Sequence, residues 1–223
     1  MRQGLLRRLR RWFGGFDYRK AYSRVDLERD HWSIVGPASR EEFEALGRGK
    51  RQLLLDLGLT PQSRLLDVGC GTGQLTAALL DFLQPPGWYC GTDIAPEAVA
   101  FCRRKYRREN FIFAQGEMTR LGIKQTGFDF IYFGSVLTHL YPAEMAALLA
   151  DARPRLAPSG MIVADAFVAG DIEDYRGDRG MVVVSEPALL ATFAELGLHC
   201  RTLRRWDWEP GVKRAIYQLT ATQ

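Results

Sequence analysis

From Thr60-Pro61 onward the chain alternates short apolar runs with segments of helical period, and this alternation restricts its fold more than any other feature. RLLDV is followed by QLTAALLDFL, GWYCGTDI by PEAVAFCRRKYRR, and NFIFAQG leads on to DFIYFGS. AEMAALLADARPRL then precedes GMIVADAF, PALLATFAELG and the two final runs HCRTLRRW and AIYQLTAT. Strand alternating with helix over this distance predicts βαβ units and a mostly parallel, doubly wound α/β sheet. The last two runs are joined by DWEPGVK, which is too short for a crossover helix, so that final pair is expected to be antiparallel. Before Thr60 two helical stretches are expected between Asp26 and Leu59, separated by Gly36-Pro37. The second runs from Ser39 to Leu57, with Ser39 as N-cap and Glu42 completing a capping box. Residues 1–60 thus read as a basic arm with lid helices, and residues 61–223 as one domain.

The chain of 223 residues is long enough for one sizeable core. Cys70, Cys90, Cys102 and Cys200 form no CxxC pair, and His31, His139 and His199 are scattered singly. That spacing suits reduced thiols in a cytoplasmic protein, and no metal site is expected. The net charge of +4 is uneven: Arg2, Arg7, Arg8, Arg10 and Arg11 stand in residues 1–16 without an acid, and the rest of the chain sums to −1. A body so charged offers no basic field for nucleic acid. No apolar run is long enough to span a membrane, and the start lacks the features of a secretory signal. In residues 1–16 the apolar side chains fall on one helical face and the arginines on the other. The pattern fits a helix lying peripherally on an anionic membrane at the inner face, and equally one that packs on its own domain or frays.

The segment Leu65–Leu75, LLDVGCGTGQL, joins the first strand to the first helix of the sheet. Glycines after a strand let a nucleotide-like ligand approach the backbone. The spacing Gly69, Gly71, Gly73 is not the GxGxxG of dinucleotide sites, and no Gly-Lys-Ser/Thr ends the loop. Asp67 at the strand mouth would repel a diphosphate but suits a ligand carrying ammonium and sulfonium centres.

DVGCGTG, with the acid Asp93 ending the next strand, resembles the first two motifs of the class I S-adenosylmethionine-dependent methyltransferases. The likeness runs from about Leu65 to Phe167 and continues more weakly through the terminal strand pair, which implies a Rossmann-like, seven-stranded sheet whose last strand is antiparallel. The resemblance implies S-adenosyl-L-methionine as cofactor. It places Asp67, Gly69, Gly71 and Gly73 along the methionine part, Asp93 on the ribose hydroxyls and Ile94 on the adenine. Glu117, where the family often has Asp, would meet the adenine amino group, and Met118 would form an apolar wall. Phe133, Gly134 and Ser135, closing the fourth strand, would face the reactive methyl.

Methyl transfer needs alignment, and a protonated acceptor needs a base as well. His139, four residues after Ser135, is the candidate, a helix-start histidine packed beside Tyr141 being the alternative. Neither an (Asp/Asn)-Pro-Pro-(Tyr/Phe) stretch nor a Pro-Cys nucleophile is present, so no nucleic-acid acceptor is expected. The expected reaction is methylation of a small molecule at oxygen, on a saccharide, lipid-linked or natural-product intermediate. A non-catalytic regulatory module that binds the same cofactor and an NAD(P)-dependent oxidoreductase are the competing readings.

Overall fold

The computed structural model describes residues 18–222; the basic stretch of residues 1–16 lies outside the described residues. Among the described residues nine strands form the sheet: β1 Arg64–Val68, β2 Trp88–Asp93, β3 Phe111–Gln115, β4 Phe128–Phe133, β5 Leu156–Ala169, β6 Tyr175–Asp178, β7 Met181–Ser185, β8 Leu198–Glu209 and β9 Val212–Ala221. The helices are α1 Tyr18–Tyr22, α2 Leu27–Asp30, α3 Arg40–Asp56, α4 Gln74–Leu79, α5 Pro96–Lys105, α6 Pro142–Ala152 and α7 Glu186–Glu195. Strands β3, β2, β1, β4 and β5 run parallel in that order; β9 lies antiparallel on the far edge of β5, and β8 antiparallel on β9. The antiparallel ending follows from the short connection between β8 and β9.

Two strands exceed the expected seven. Ala164 pairs with Phe133 of β4 on one side and Tyr217 of β9 on the other, whereas Phe167 pairs with Val183 of β7 and Arg214 of β9. Strand β5 outruns β4, and β7 takes the vacated edge, with β6 antiparallel beside it. The β6–β7 hairpin therefore stands beyond the carboxyl end of β4.

The inner strands are mostly apolar because both faces are covered: β1 and β2 are buried along nearly their whole length. One face packs Leu66, Ile131, Ile162 and Tyr217 under α6 and α7, and the other packs Leu65, Tyr89, Phe130 and Val163 under α3, α4 and α5. Helix α3 begins at Ser39, whose Oγ accepts the Glu42 N–H at 3.2 Å. The Glu42 carboxylate reaches back to the Ala38 N–H at 2.6 Å, one residue before the N-cap. The first expected helical stretch is broken into α2 and a 3₁₀ turn, Ser33–Val35. Gly47 brings α3 against the start of α4: a Cβ there would lie 2.4 Å from the Gln74 carbonyl oxygen.

Candidate active site

Parallel register places the ends of β1, β2, β3 and β4 side by side, so residues far apart in sequence meet along one rim. Gly69, Gly71 and Gly73 turn the chain from β1 into α4 with φ values of 67°, 57° and 84°. Only glycine adopts such angles without strain, and the turn is also tight. A Cβ on Gly69 would stand 2.6 Å from Val136 Cγ2, and one on Gly71 2.8 Å from Val35 Cγ1.

Asp93 closes β2 with 8% of its surface exposed. Its Oδ2 accepts the Gly71 N–H and its Oδ1 the Ala95 N–H, both at 2.9 Å. Burial raises the Asp93 pKa, and these backbone hydrogen bonds act against that rise. The two donors fix the carboxylate while leaving each oxygen a lone pair for a further donor. Asp67 lies lower, beneath the turn, where Oδ2 accepts the Tyr89 hydroxyl at 2.6 Å. Burial lifts its pKa from 3.8 to about 6, against the opposing pull of the Lys50 charge and the Tyr89 hydrogen bond.

Ile94 is half-buried beside Asp93. The register Asp93↔Gln115 brings the end of β3 next to it, and the Gly116 N–H donates to the Asp93 carbonyl at 2.9 Å. Glu117 follows, exposed, with its backbone bridged to Arg120, and Met118 packs on the core. A ribose-and-base ligand on Asp93 would thus find a carboxylate and an apolar wall one strand away. Phe133 is wholly buried in the core, whereas Gly134 and Ser135 are half-buried at the rim.

Ser135 adopts φ 61°, an uncommon angle for a residue with a side chain. The Ser135 N–H donates to Asp165 Oδ1 at 2.6 Å, Arg214 Nη2 donates to Ser135 Oγ at 2.7 Å, and Arg214 Nε donates to Asp165 Oδ2 at 2.8 Å. This triangle ties β4, β5 and β9 together where β4 ends. The Arg214 guanidinium carbon also stands 5.4 Å, 5.9 Å and 5.7 Å from the ring centres of Phe167, Trp206 and Trp208.

His139 ends a 3₁₀ turn, Leu137–His139, just past β4. Its Nδ1 lies 2.9 Å from the carbonyl oxygen of Arg179 in the β6–β7 turn. A carbonyl only accepts, so Nδ1 carries the proton in that bond. The Arg179 side chain holds Glu144 through Nη1 at 3.0 Å and Nη2 at 2.6 Å, pinning the hairpin to the start of α6. Tyr22 and His31 are buried at 5% and 3% exposure, closing the domain over α5 and the glycine turn. The Arg214 triangle, Lys50 and the β6–β7 hairpin carry no short-range motif in the sequence. The run MVVV after Arg179-Gly180 carries a strand signal that would have revealed the hairpin.

A glycine cradle flanked by two carboxylates suits a ligand with positive charge and ribose hydroxyls better than it suits a phosphate. The sheet order and this rim define the Rossmann-like fold of class I methyltransferases. Residues 65–160 match the methyltransferase domain family. Over that segment the chain is similar to S-adenosylmethionine-dependent methyltransferases, and its fold is theirs.

Demethylmenaquinone methyltransferase of Staphylococcus aureus (strain JH9) is 30% identical over 122 residues, which is 54% of this chain and 50% of that protein. The chain thus spans about half the length of the curated relatives it matches. A TehB-like SAM-dependent methyltransferase from Corynebacterium glutamicum superposes with a TM-score of 0.60 at 17% identity, over 91% of this chain and 98% of the other. The glycopeptide N-methyltransferase MtfA, solved with S-adenosyl-L-methionine, does so with a TM-score of 0.59 at 12% identity, over 79% and 88%.

Proposed function

We propose that the chain methylates a small molecule at oxygen, with S-adenosyl-L-methionine as donor. The observation that carries this reading is the His139 hydrogen bond to the Arg179 carbonyl, 2.9 Å long, because it fixes a titratable ring just beyond the strand end that leads into Ser135. A protonated oxygen acceptor needs such a base, and a charge-neutral nitrogen nucleophile does not. The Staphylococcus relative is a demethylmenaquinone methyltransferase, which supports a small-molecule acceptor. Saccharide, lipid-linked and natural-product intermediates all fall within it.

When bound, the donor supplies an electrophilic methyl for in-line displacement. Asp93 accepts the ribose hydroxyls, Glu117 accepts from the adenine amino group, and Ile94 and Met118 enclose the base. Gly69, Gly71 and Gly73 let the methionine part lie on the backbone, with Gly134 and Ser135 across from it. His139 removes the acceptor proton, and the β6–β7 hairpin holds its ring and screens the end of β4 from water. Residues 1–60 act as arm and lid. Among the described residues no helix is long and apolar enough to cross a membrane.

Isothermal titration with S-adenosylhomocysteine tests the donor half. Asp93→Ala is expected to weaken binding roughly 100-fold, the worth of two hydrogen bonds to a charged group. Absence of binding to the unaltered chain would sink the reading. A methylation assay over hydroxylated acceptors tests the rest: His139→Gln should lower kcat and leave the homocysteine-product affinity unchanged.

A further inference from the structure

Among the described residues few large apolar side chains are exposed, and two of them, Trp206 at 39% and Trp208 at 43%, stand one residue apart near the end of β8. Exposed apolar groups in such proximity mark a surface that meets something. Trp206 is the register partner of Arg214, so their side chains share a face of the β8–β9 ladder. A bulge between Asp207 and Glu209 leaves Trp208 without a register partner on β9. Bulges re-aim the side chains they carry, and the Trp208 ring centre lies 4.9 Å from that of Phe167 on β5. Phe167 in turn belongs to a small buried cluster with Ala169, Val183 and Val212.

The Arg214 guanidinium lies among these three rings and joins them to the rim, because its Nη2 donates to Ser135 Oγ where β4 ends. Its Nε is taken by Asp165, which also accepts the Ser135 N–H. Nη1 makes no hydrogen bond among the described residues, and the side chain is 22% exposed, so one edge of the guanidinium keeps its N–H groups for a ligand oxygen. Apolar ring area is thus plentiful here and free polar groups are few. A saccharide carries hydroxyls around its whole ring, and each one stripped of water needs a partner. Ser135, Asp165 and Arg214 bond chiefly to one another and cannot supply so many. A flat aromatic ring needs only a face to stack on and one N–H for its oxygen.

We propose that Trp206 and Trp208 form the acceptor platform, stacking on the aromatic ring of a phenolic acceptor whose oxygen takes a hydrogen bond from Arg214 Nη1. Phe167 backs Trp208, and the bond from Arg214 to Ser135 holds the platform beside the end of β4. The guanidinium charge also favours the ionised form of a phenol, which is its nucleophilic form. This assignment rests on the methyltransferase reading, and it narrows the acceptor from any hydroxylated small molecule to a hydroxylated aromatic one.

The test is isothermal titration of the chain saturated with S-adenosylhomocysteine, using naphthol, catechol and umbelliferone as aromatic probes and methyl glucoside as the saccharide probe. At least one aromatic probe is expected to bind, and the glucoside is not. Trp206→Leu and Trp208→Leu should each weaken the bound aromatic probe roughly 3- to 10-fold, the worth of one ring pair. Both variants should keep the S-adenosylhomocysteine affinity of the unaltered chain, which shows that they are folded. Failure of all three aromatic probes to bind, binding of the glucoside in their place, or an aromatic affinity unchanged in both variants would overturn the proposal. An unaltered chain that does not bind S-adenosylhomocysteine would instead overturn the methyltransferase reading on which the proposal rests.

Discussion

Arg214 reaches Asp165 across the β5–β9 ladder, Nε to Oδ2 at 2.8 Å, with only 9% of the Asp165 side chain exposed. The residues are not directly opposite, since Phe167 is the register partner of Arg214 and Ile216 that of Asp165. The long guanidinium stem spans the offset and still reaches Ser135. Arg214→Met should therefore lower stability by about 3 kcal/mol, because it leaves a desolvated carboxylate with one donor fewer. Arg214→Lys keeps the charge without the fork and should lie between. Urea unfolding checks this; a loss under about 0.5 kcal/mol would mean the pair contributes nothing.

Donor binding should depend on pH through Asp67, whose pKa burial holds at about 6 in the ligand-free chain. A cationic ligand end favours the ionised form, so binding below pH 6 must expel a proton. S-adenosylhomocysteine, whose ammonium remains, should bind more tightly as pH rises from 5 to 7 and then level off. The slope should not exceed about one decade per pH unit. Asp67→Asn should flatten the titration, and an unchanged slope in that variant would assign the proton elsewhere.

His31 should make the fold acid-sensitive. Its ring is packed among Trp32, Phe43 and Phe101, and Lys105 Nζ stands 3.0 Å from its Nε2. Burial, then the Lys105 and Arg40 charges, lower its pKa from 6.5 to about 4, with Glu28 pulling the other way. Between these values the unfolded chain takes the proton and the folded chain does not, so stability falls as pH drops from 6.5 to 4 and changes no further below. Asp67 has the opposite sign: its raised pKa makes stability rise as pH drops from 6 to 3.8. The His31 effect is read as the difference between the unaltered chain and His31→Gln across the same pH series. A flat difference would remove His31 as the cause.

What the sequence exposes here is what short-range chemistry decides. The DVGCGTG turn, the Ser39 cap and the antiparallel ending each lie within a few residues, so spacing alone specifies them. Asp93 and Glu117 are legible because parallel strands bring successive strand ends to one rim. Asp165 and Arg214 are 49 residues apart, and they meet only through a register that β5 and β9 adopt when paired. Lys50 shares a helical stripe with Phe43, Gly47 and Leu54, which are buried, and only that burial sets it apart from the other charges of α3. Strand β6 offered almost nothing, since all four of its residues are exposed and no apolar alternation marks it.

The β6–β7 hairpin joins the main sheet through three register pairs, Phe167↔Val183, Val168↔Val184 and Ala169↔Ser185. The glycine turn, Asp93 and Glu117 all stand on strands it never touches. Insertions, deletions or exchange within the mostly exposed residues 170–180 should therefore alter the surroundings of His139 and leave the proposed donor residues in place. In a lineage of related chains, acceptor preference could drift through this one appendage, and a laboratory graft of the hairpin is the natural route to redirecting it.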